Sequence, residues 1–550
     1  MADQDGPPRM RWWGWGEESQ PPSLPAHALG FLRENIGLGS SPRAPVALSR
    51  VAIPPGVLGD TVLGELRTIA GTHGVSVGHR DRVEHAAGKG YPDLVLLREG
   101  RPDGAPDAVV RPSSHAQVRA LLELCGRRSV AVVPFGGGTS VVGGIAPVRG
   151  AHSGVISLDM ARMRSVVSLD RDSRTVSVQA GMRAPALEDH LAGLGLTLGH
   201  YPQSYEYVSL GGCAATRSAG QASTGYGAIA EMVLGMRMAA PRADIELPAM
   251  PATAAGPSLR EMIVGSEGVL GVITDVSLRV RDAPRASAYE GVFFEDFQTG
   301  AEALRILAQQ HALPDVARLS DESETRMSLA LAGDGGVKGR LGRAYIGLRG
   351  MGSGVLAILG FDGTEETVAI RRSRTMSLLR AQGALPVGES PGRAWLAGRF
   401  HAPYLRDDLL TQGVMVETLE TATPWSNVQS LHTAVGDAIA GTLAAGGTPA
   451  LVMCHISHVY ETGCSLYFTF IARQRPGQEI EQWHEVKGAA CTAIVDGGGT
   501  ITHHHAIGRD HRAWMEREVG AGGVAALRAL KSELDPDGIM NPGKLLPLSP

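Results

Sequence analysis

Three consecutive histidines, a tyrosine in an apolar strand, two arginines and a glycine-rich loop are the residues of this 550-residue chain whose types and spacing could do chemistry. Imidazoles titrate near neutral pH, so His503-His504-His505 can donate to an anion, relay protons or bind a metal. In an extended strand His503 and His505 would share one face and His504 the other. Zinc ligands usually stand a helical turn or a short loop apart. No carboxylate or cysteine stands at a matching spacing, so we expect no metal and favour a catalytic cluster over a structural one. Cys454, His455, His458 and Cys464 have a zinc-like composition too, but they lie around the apolar run Val452 to Ile456, which favours packing. Tyr467 belongs to the alternating stretch Cys464 to Phe470, with Tyr467 and Thr469 facing one way and Phe468 and Phe470 the other. On the residues alone, a buried tyrosine with a bonded hydroxyl is the plainer reading. Arg406 could grip a phosphate bidentately, although an arginine followed by Asp407 and Asp408 is more often a surface ion pair.

The loop Val132-Val-Pro-Phe-Gly-Gly-Gly-Thr-Ser-Val-Val-Gly-Gly144 follows a strand-helix-strand pattern. The run Asp107-Ala-Val-Val-Arg-Pro112 supplies the first strand. Ser113 and Ser114 are candidate caps for a helix carrying Val118, Leu121, Leu122 and Cys125, and Val130 to Val133 is the next strand. Glycines let successive N–H groups approach a polyanion, and Thr139 and Ser140 add hydroxyls. An ordinary connecting loop is the alternative. A Rossmann loop is excluded because Val141 stands where its third glycine belongs and strands, not a helix, follow. A Walker loop is excluded because Gly143-Gly144-Ile145 offers no lysine.

This loop resembles the pyrophosphate loop of the vanillyl-alcohol oxidase / p-cresol methylhydroxylase flavoproteins. The later segments Gln203 to Ser209, Ala215 to Ser218, Gly265 to Thr274, Arg318 to Asp321 and Thr502 to Gly508 resemble the alkyldihydroxyacetonephosphate synthase (alkylglycerone-phosphate synthase) branch. The likeness runs from Trp15 to Asn541-Pro-Gly-Lys544. It implies FAD, held non-covalently because the loop has no histidine for attachment. It implies contacts from Pro134, Phe135, Gly136, Gly137, Gly138, Thr139, Ser140, Gln203, Ser204, Ser209, Ala215, Thr216, Arg217, Ser218, Glu267, Gly268, Gly271, Val272 and Ile273. One departure is Gln203-Ser204, where the family carries Asp-Ser. Tyr467 then becomes the expected catalytic tyrosine, with His503, His504 and His505, while Arg406 and Arg318 would bind or position substrate. The implied reaction exchanges the acyl group of acyl-dihydroxyacetone phosphate for a fatty alcohol in ether-lipid synthesis, without net redox change. A 2-hydroxy-acid dehydrogenase or oxidase, of D-lactate or 2-hydroxyglutarate type, is the alternative on the same fold.

The elements that must position these residues can be outlined. We expect an α+β protein, with a two-part FAD-binding domain of the p-cresol methylhydroxylase (PCMH) type and a cap whose antiparallel sheet is covered by helices. The expected divisions are a lead-in over 1–91, the flavin domain over 92–284, the cap over 285–500, and a tail over 501–550 that carries the histidines back to the flavin domain. Extended runs are expected at Val272 to Arg281, Tyr289 to Phe294, Tyr345 to Leu348, Val355 to Gly360, Met415 to Leu419 and Leu466 to Ala472. Helices are expected around 58–72, 297–310, 364–381, 426–445, 478–495 and 523–534.

Composition excludes several classes. A net charge of −5 points to no nucleic-acid partner. Five scattered cysteines argue against a disulfide framework. There is no secretory signal, no apolar run long enough to span a bilayer, and no Ser-Lys-Leu ending, so a cytoplasmic protein, peripheral to the membrane at most, is expected. A lipid enzyme could touch a membrane through Trp12, Trp13 and Trp15 beside Arg9 and Arg11, but their packing on the protein is the favoured reading. A homodimer is expected. Arginine outweighs lysine throughout, which suggests a GC-rich bacterial genome.

Overall fold

A computed structural model describes residues 9–19, 24, 26–38, 43–332, 344 and 346–547. The first sheet contains Val75–Ser76 (β1), Ala108–Val110 (β2), Val130–Phe135 (β3) and Gly154–Asp159 (β4) in the order β1-β2-β4-β3, with β2, β4 and β3 parallel. Parallel strands need crossovers. The crossover from β2 to β3 is the helix His115–Arg128, opened by Ser114 Oγ accepting from the Gln117 N–H and closed by Ser129 in the left-handed region at φ 51°. Val118, Leu121, Leu122 and Cys125 face the sheet, as their spacing requires, beside Leu66 of the helix Asp60–Ala70.

The second sheet is antiparallel. It contains Val166–Asp170 (β5), Thr175–Gln179 (β6), Val233–Ala239 (β8), Asp244–Leu247 (β9) and Val272–Arg279 (β10), in the order β5-β6-β10-β8-β9. A small ribbon pairs Leu196–Thr197 (β7) with Arg281–Asp282 (β11). The tail returns to the first sheet: Val132 pairs with Met540, the Asn541 N–H donates to the Val132 carbonyl, and buried Lys544 donates to the Ala146 carbonyl.

The cap is a seven-stranded antiparallel sheet among the described residues. Its strands are Ala286–Phe294 (β12), Val316–Ser320 (β13), Val355–Gly363 (β14), Leu385–Gly388 (β15), Val414–Pro424 (β16), Ala450–Ile456 (β17) and Gly463–Arg473 (β18), in the order β15-β12-β14-β13-β17-β18-β16. On one face Leu319, Cys454, Ile456, Leu466, Phe468, Phe470 and Leu419 share a core with the helices Phe297–Gln309, Glu365–Ala381, Val428–Ala445 and Glu479–Asp496. On the other face Val414, Val416, Met453 and Ile471 are covered by Leu32 and Ile36, Met327 and Leu409. These come from the helices Ala26–Ile36, Glu322–Ala332 and Ala402–Thr411. Beyond that apolar end, the same face turns polar.

One expectation needs revision, and the favoured packing of the tryptophans holds for Trp12 and Trp15. Tyr345 lies outside the described residues, and 346–348 are helical rather than extended. Trp12 and Trp15 are buried, while Trp13 lies between the Arg11 and Arg98 guanidiniums at 4.9 and 5.1 Å. The first two indoles pack on the protein and are not membrane anchors. Among the described residues no helix is long and apolar enough to cross a membrane.

Candidate active site

The period-2 alternation of the cap strands assembles a polar row. Ser320 on β13 stands opposite His455 on β17, His455 opposite Tyr467 on β18, and Tyr467 opposite Glu420 on β16. Directly opposed residues share a face, so four strands deliver Ser320, His455, Tyr467 and Glu420 to one side while their neighbours fill the core. Thr469 lies on the side of Tyr467, as expected, and Phe468 and Phe470 are in the core. Burial pushes the Tyr467 phenol up to about 12, so it carries its proton throughout the neutral range.

His455 stacks on Tyr467, with centroids 4.7 Å apart and planes inclined at 15°. Its Nδ1 is 2.9 Å from Glu324 Oε1, and the same oxygen accepts from Arg318 Nη2 at 2.8 Å. Burial alone would raise Glu324, but His455 and Arg318 hold its carboxyl down at about 2. Arg318 therefore sits in a partly buried ion cluster beneath the ring that backs Tyr467. Cys454 and Cys464 pack in the core, as expected. The histidines between them do not: the strand alternation turns His455 to the polar face, and His458 joins the cluster described next.

The triple histidine occupies a bend rather than a strand, so its three rings splay around the polar row and have no simple two-faced arrangement. His505 meets Tyr467 edge-on at 5.4 Å, and its buried Nδ1 has no hydrogen-bond partner. His504 pairs with Glu420 through Nδ1, and His503 Nδ1 is 3.6 Å from Glu420 Oε1. His458 Nε2 is 3.8 Å from the same oxygen. Burial would raise Glu420, but His504, His503 and His458 hold it well below the usual carboxylate range. Burial also lowers His503, to about 4, and takes His458 and His505 well below the ordinary imidazole value. The ground for expecting no metal was the lack of a carboxylate near the histidines. That ground fails, because the sheet brings in Glu420 from far upstream.

Arg406 lies on the helix Ala402–Thr411, buried, with Nη1 donating to the Lys89 carbonyl at 3.2 Å and Nη2 3.9 Å from Glu417. It is close enough to Tyr467 to bear on that phenol's ionisation. The Lys89 N–H in turn donates to the Ser140 carbonyl at 2.6 Å, which ties this helix to the glycine loop.

A cleft with about 690 Å³ of free space, its open mouth included, runs between the two flavin-side sheets. Of the expected contacts, Pro134, Phe135, Gly136, Ser140, Ser209, Ala215, Thr216, Glu267, Gly268, Gly271, Val272 and Ile273 line it. Gly137 packs instead under the Tyr207 carbonyl, where a Cβ would come within 2.1 Å, and Gly138 takes φ 73° against Phe135. Neither these two nor Thr139 lies on the cleft wall. Gln203 donates to the Arg399 carbonyl at 2.7 Å, and the Ser204 carbonyl accepts from Tyr207. Arg217 pairs with Glu261 at the surface, and Ser218 Oγ is 3.2 Å from His200 Nε2.

The loop beside the cleft offers donors for a diphosphate, and Ser140 brings it to the cleft wall. Among the described residues the backbone N–H groups of 137–141 donate to no protein acceptor, and successive unpartnered amides form an anion nest. At Gly136 a Cβ would stand 2.2 Å from Ser209 Oγ, so only glycine permits this approach.

Cleft and polar row are joined at one point. Ala506 lines the cleft, and its neighbour His505 faces Tyr467. Glu267 fixes that junction: Oε1 accepts from the Ile507 N–H at 2.8 Å and Oε2 from the Gly508 N–H at 2.7 Å. Glu267→Ala leaves two buried donors without acceptors. It should lower stability by about 1–3 kcal/mol, read as a drop in Tm of the FAD-loaded protein. An unchanged Tm would mean that the loop is held by other contacts.

The sequence reading missed Glu420, His455 as a partner of Tyr467, Glu324, Tyr460 and Ala506. A signal existed for the first: β16 reads Val-Met-Val-Glu-Thr-Leu-Glu-Thr-Ala-Thr-Pro, and two carboxylates in a buried strand need partners.

Comparison with known proteins gives the class first. Residues 106–246 match the FAD binding domain family, and residues 283–545 match the C-terminal domain of FAD linked oxidases. This is an FAD-binding protein with the PCMH-type fold. The alkyldihydroxyacetonephosphate synthase of Trypanosoma brucei brucei is 33% identical over 98% of this chain and 93% of its own length. That of Dictyostelium discoideum is 34% identical over 85% of this chain and 77% of its own. A solved alkyldihydroxyacetonephosphate synthase superposes with a TM-score of 0.85 at 29% identity, covering 98% of this chain and 99% of that one. The chain belongs to the alkyldihydroxyacetonephosphate synthase family. A bacterial source, expected from the arginine-rich composition, is not supported: these synthases come from a trypanosome and a slime mould, and a third, 32% identical, from the nematode Caenorhabditis elegans. Basic-residue preference reflects nucleotide composition and does not report lineage.

Proposed function

We propose that this enzyme exchanges the acyl group of acyl-dihydroxyacetone phosphate for a fatty alcohol, with FAD held non-covalently in the cleft behind Ala506. The observation that carries this reading is the placement of Tyr467, backed by His455 and met edge-on by His505, whose Nδ1 has no partner, where the cleft meets the cap. FAD, when bound, supplies the nucleophilic ring nitrogen at which the exchange takes place.

The protein's own groups divide the remaining work. Ser140, which lines the cleft, takes the diphosphate together with the unpartnered amides beside it, and Gly136, Ala215, Glu267, Gly268 and Ile273 shape the walls. Gln203, Ser204, Arg217 and Ser218 support the turns behind them. A ketone beside C1 makes the C1 proton acidic. As C1 gives its proton to the Tyr467 oxygen, the phenol passes its own proton to His505 Nδ1, which has no other partner, and the relay runs back when the alcohol adds. His455, braced by Arg318 and Glu324, keeps the phenol ring in plane with the transfer. Arg406 takes the phosphate, because a guanidinium matches its geometry and charge. His504, whose Nδ1 is on Glu420, keeps Nε2 as a further donor.

The decisive assay supplies acyl-dihydroxyacetone phosphate with and without a fatty alcohol. Fatty-acid release that depends on the alcohol supports exchange. A 2-hydroxy-acid dehydrogenase is the competing reading, with a probable D-lactate dehydrogenase of Danio rerio 26% identical over 89% of this chain. Rapid anaerobic bleaching of the flavin by D-lactate or 2-hydroxyglutarate, with no exchange, would replace our reading with that one. We further propose a homodimer in the cytoplasm that meets lipid at a membrane surface; light scattering and vesicle sedimentation test the two parts separately.

A further inference from the structure

We propose that Glu420, His458, His503 and His504 hold a divalent transition-metal ion beside Tyr467. Each offers one ligand atom, and the four atoms all lie within 4.8 Å of one another. His503 Nδ1 is 3.1 Å from His504 Nδ1 and 3.6 Å from Glu420 Oε1, and His458 Nε2 is 3.8 Å from that oxygen. Ligands about 2.0–2.1 Å from a tetrahedral zinc ion stand about 3.3 Å from one another, so the pairs at 3.1–3.8 Å are already near that spacing and the widest must draw in by up to about 1.5 Å.

Three features favour an ion over a simple hydrogen-bond cluster. The first is convergence: the donors come from β16, from the turn after β17 and from the bend at 503–504, and a fold gains little by aiming three imidazole nitrogens at one carboxylate unless something cationic sits between them. The second is burial. Glu420 is 1% exposed and His458 3%, so a fixed carboxylate that has, among the described residues, no lysine or arginine within ion-pair distance wants a compensating charge. The third is an outer layer of the kind that metal ligands carry. His503 uses its other ring nitrogen, Nε2, 2.6 Å from Tyr460 Oη, and Ser457 Oγ donates to Glu420 Oε1 at 3.3 Å. Three imidazoles and one carboxylate suit zinc and its neighbours rather than calcium or magnesium. The assignment does not depend on which substrate the pocket takes.

The test uses the full-length, tag-free, FAD-loaded protein, stripped by dialysis against a chelator and titrated with Co²⁺ alone. We expect one cobalt per chain, with ligand-field absorption at wavelengths beyond the flavin band, and one zinc per chain when Zn²⁺ is used instead. Glu420→Gln should weaken Co²⁺ affinity by roughly a hundredfold, and Tyr460→Phe by roughly tenfold, with the flavin spectrum unchanged. No cobalt spectrum in the wild-type protein overturns the proposal, as does stoichiometric uptake that neither substitution weakens. If Glu420→Gln fails to fold, the wild-type titration and Tyr460→Phe still decide, because Tyr460 is partly exposed and lies outside the core.

Discussion

Tyr467→Phe should lower kcat by roughly 10²–10⁴-fold, the range lost with a positioned acid–base group, while the flavin absorption and the Tm stay close to wild type. The structure gives reasons for both halves. The phenol hydroxyl is the only polar atom removed, and the ring stays stacked on His455 and packed beside His505. The cleft wall has no contribution from Tyr467, so FAD retention should not change. Measuring kcat, KM and flavin content on one preparation is enough. Turnover within threefold of wild type would remove Tyr467 as the proton carrier and leave His505 to act without it.

Arg406→Ala should raise KM for the phosphate-bearing substrate by roughly ten- to a hundredfold, with a smaller change in kcat. The estimate follows from losing a charged hydrogen-bonding partner worth about 1.5–3 kcal/mol. Arg406 is poised for the role by its surroundings. Asp407 next to it accepts from the Trp15 N–H at 2.8 Å, and Lys89, whose carbonyl it binds, reaches the Arg11 carbonyl at 2.8 Å. The amino-terminal tryptophan loop thus anchors the helix that carries the guanidinium. Arg406→Lys keeps the charge but loses the fork, so KM should recover only in part. If KM in the Ala variant equals that of wild type, the phosphate is bound elsewhere, and His504 becomes the next candidate.

Much of this was legible in the chain itself. Local rules wrote the first sheet: the cap at Ser114, the helical stripe through Cys125 and the Val-rich strands need only neighbouring residues to be read. The loop at 134–144 announced an anion site because glycine, threonine and serine in that order have little else to do. The alternation around Tyr467 correctly assigned its two faces. The bend at 503–505 was misjudged, because nothing local distinguishes a strand of histidines from a turn whose shape is imposed by Glu267 and Glu420.

The amino-acid order by itself determined the element types, the phosphate-type loop and the family, since each depends on periodicity and on motifs that lie within short windows. Only the tertiary structure decided who stands next to Tyr467. Glu420, His455 and His505 reach it from β16, β17 and the carboxy-terminal tail, and strand register, a property of pairing between distant segments, carries no mark in any one of them.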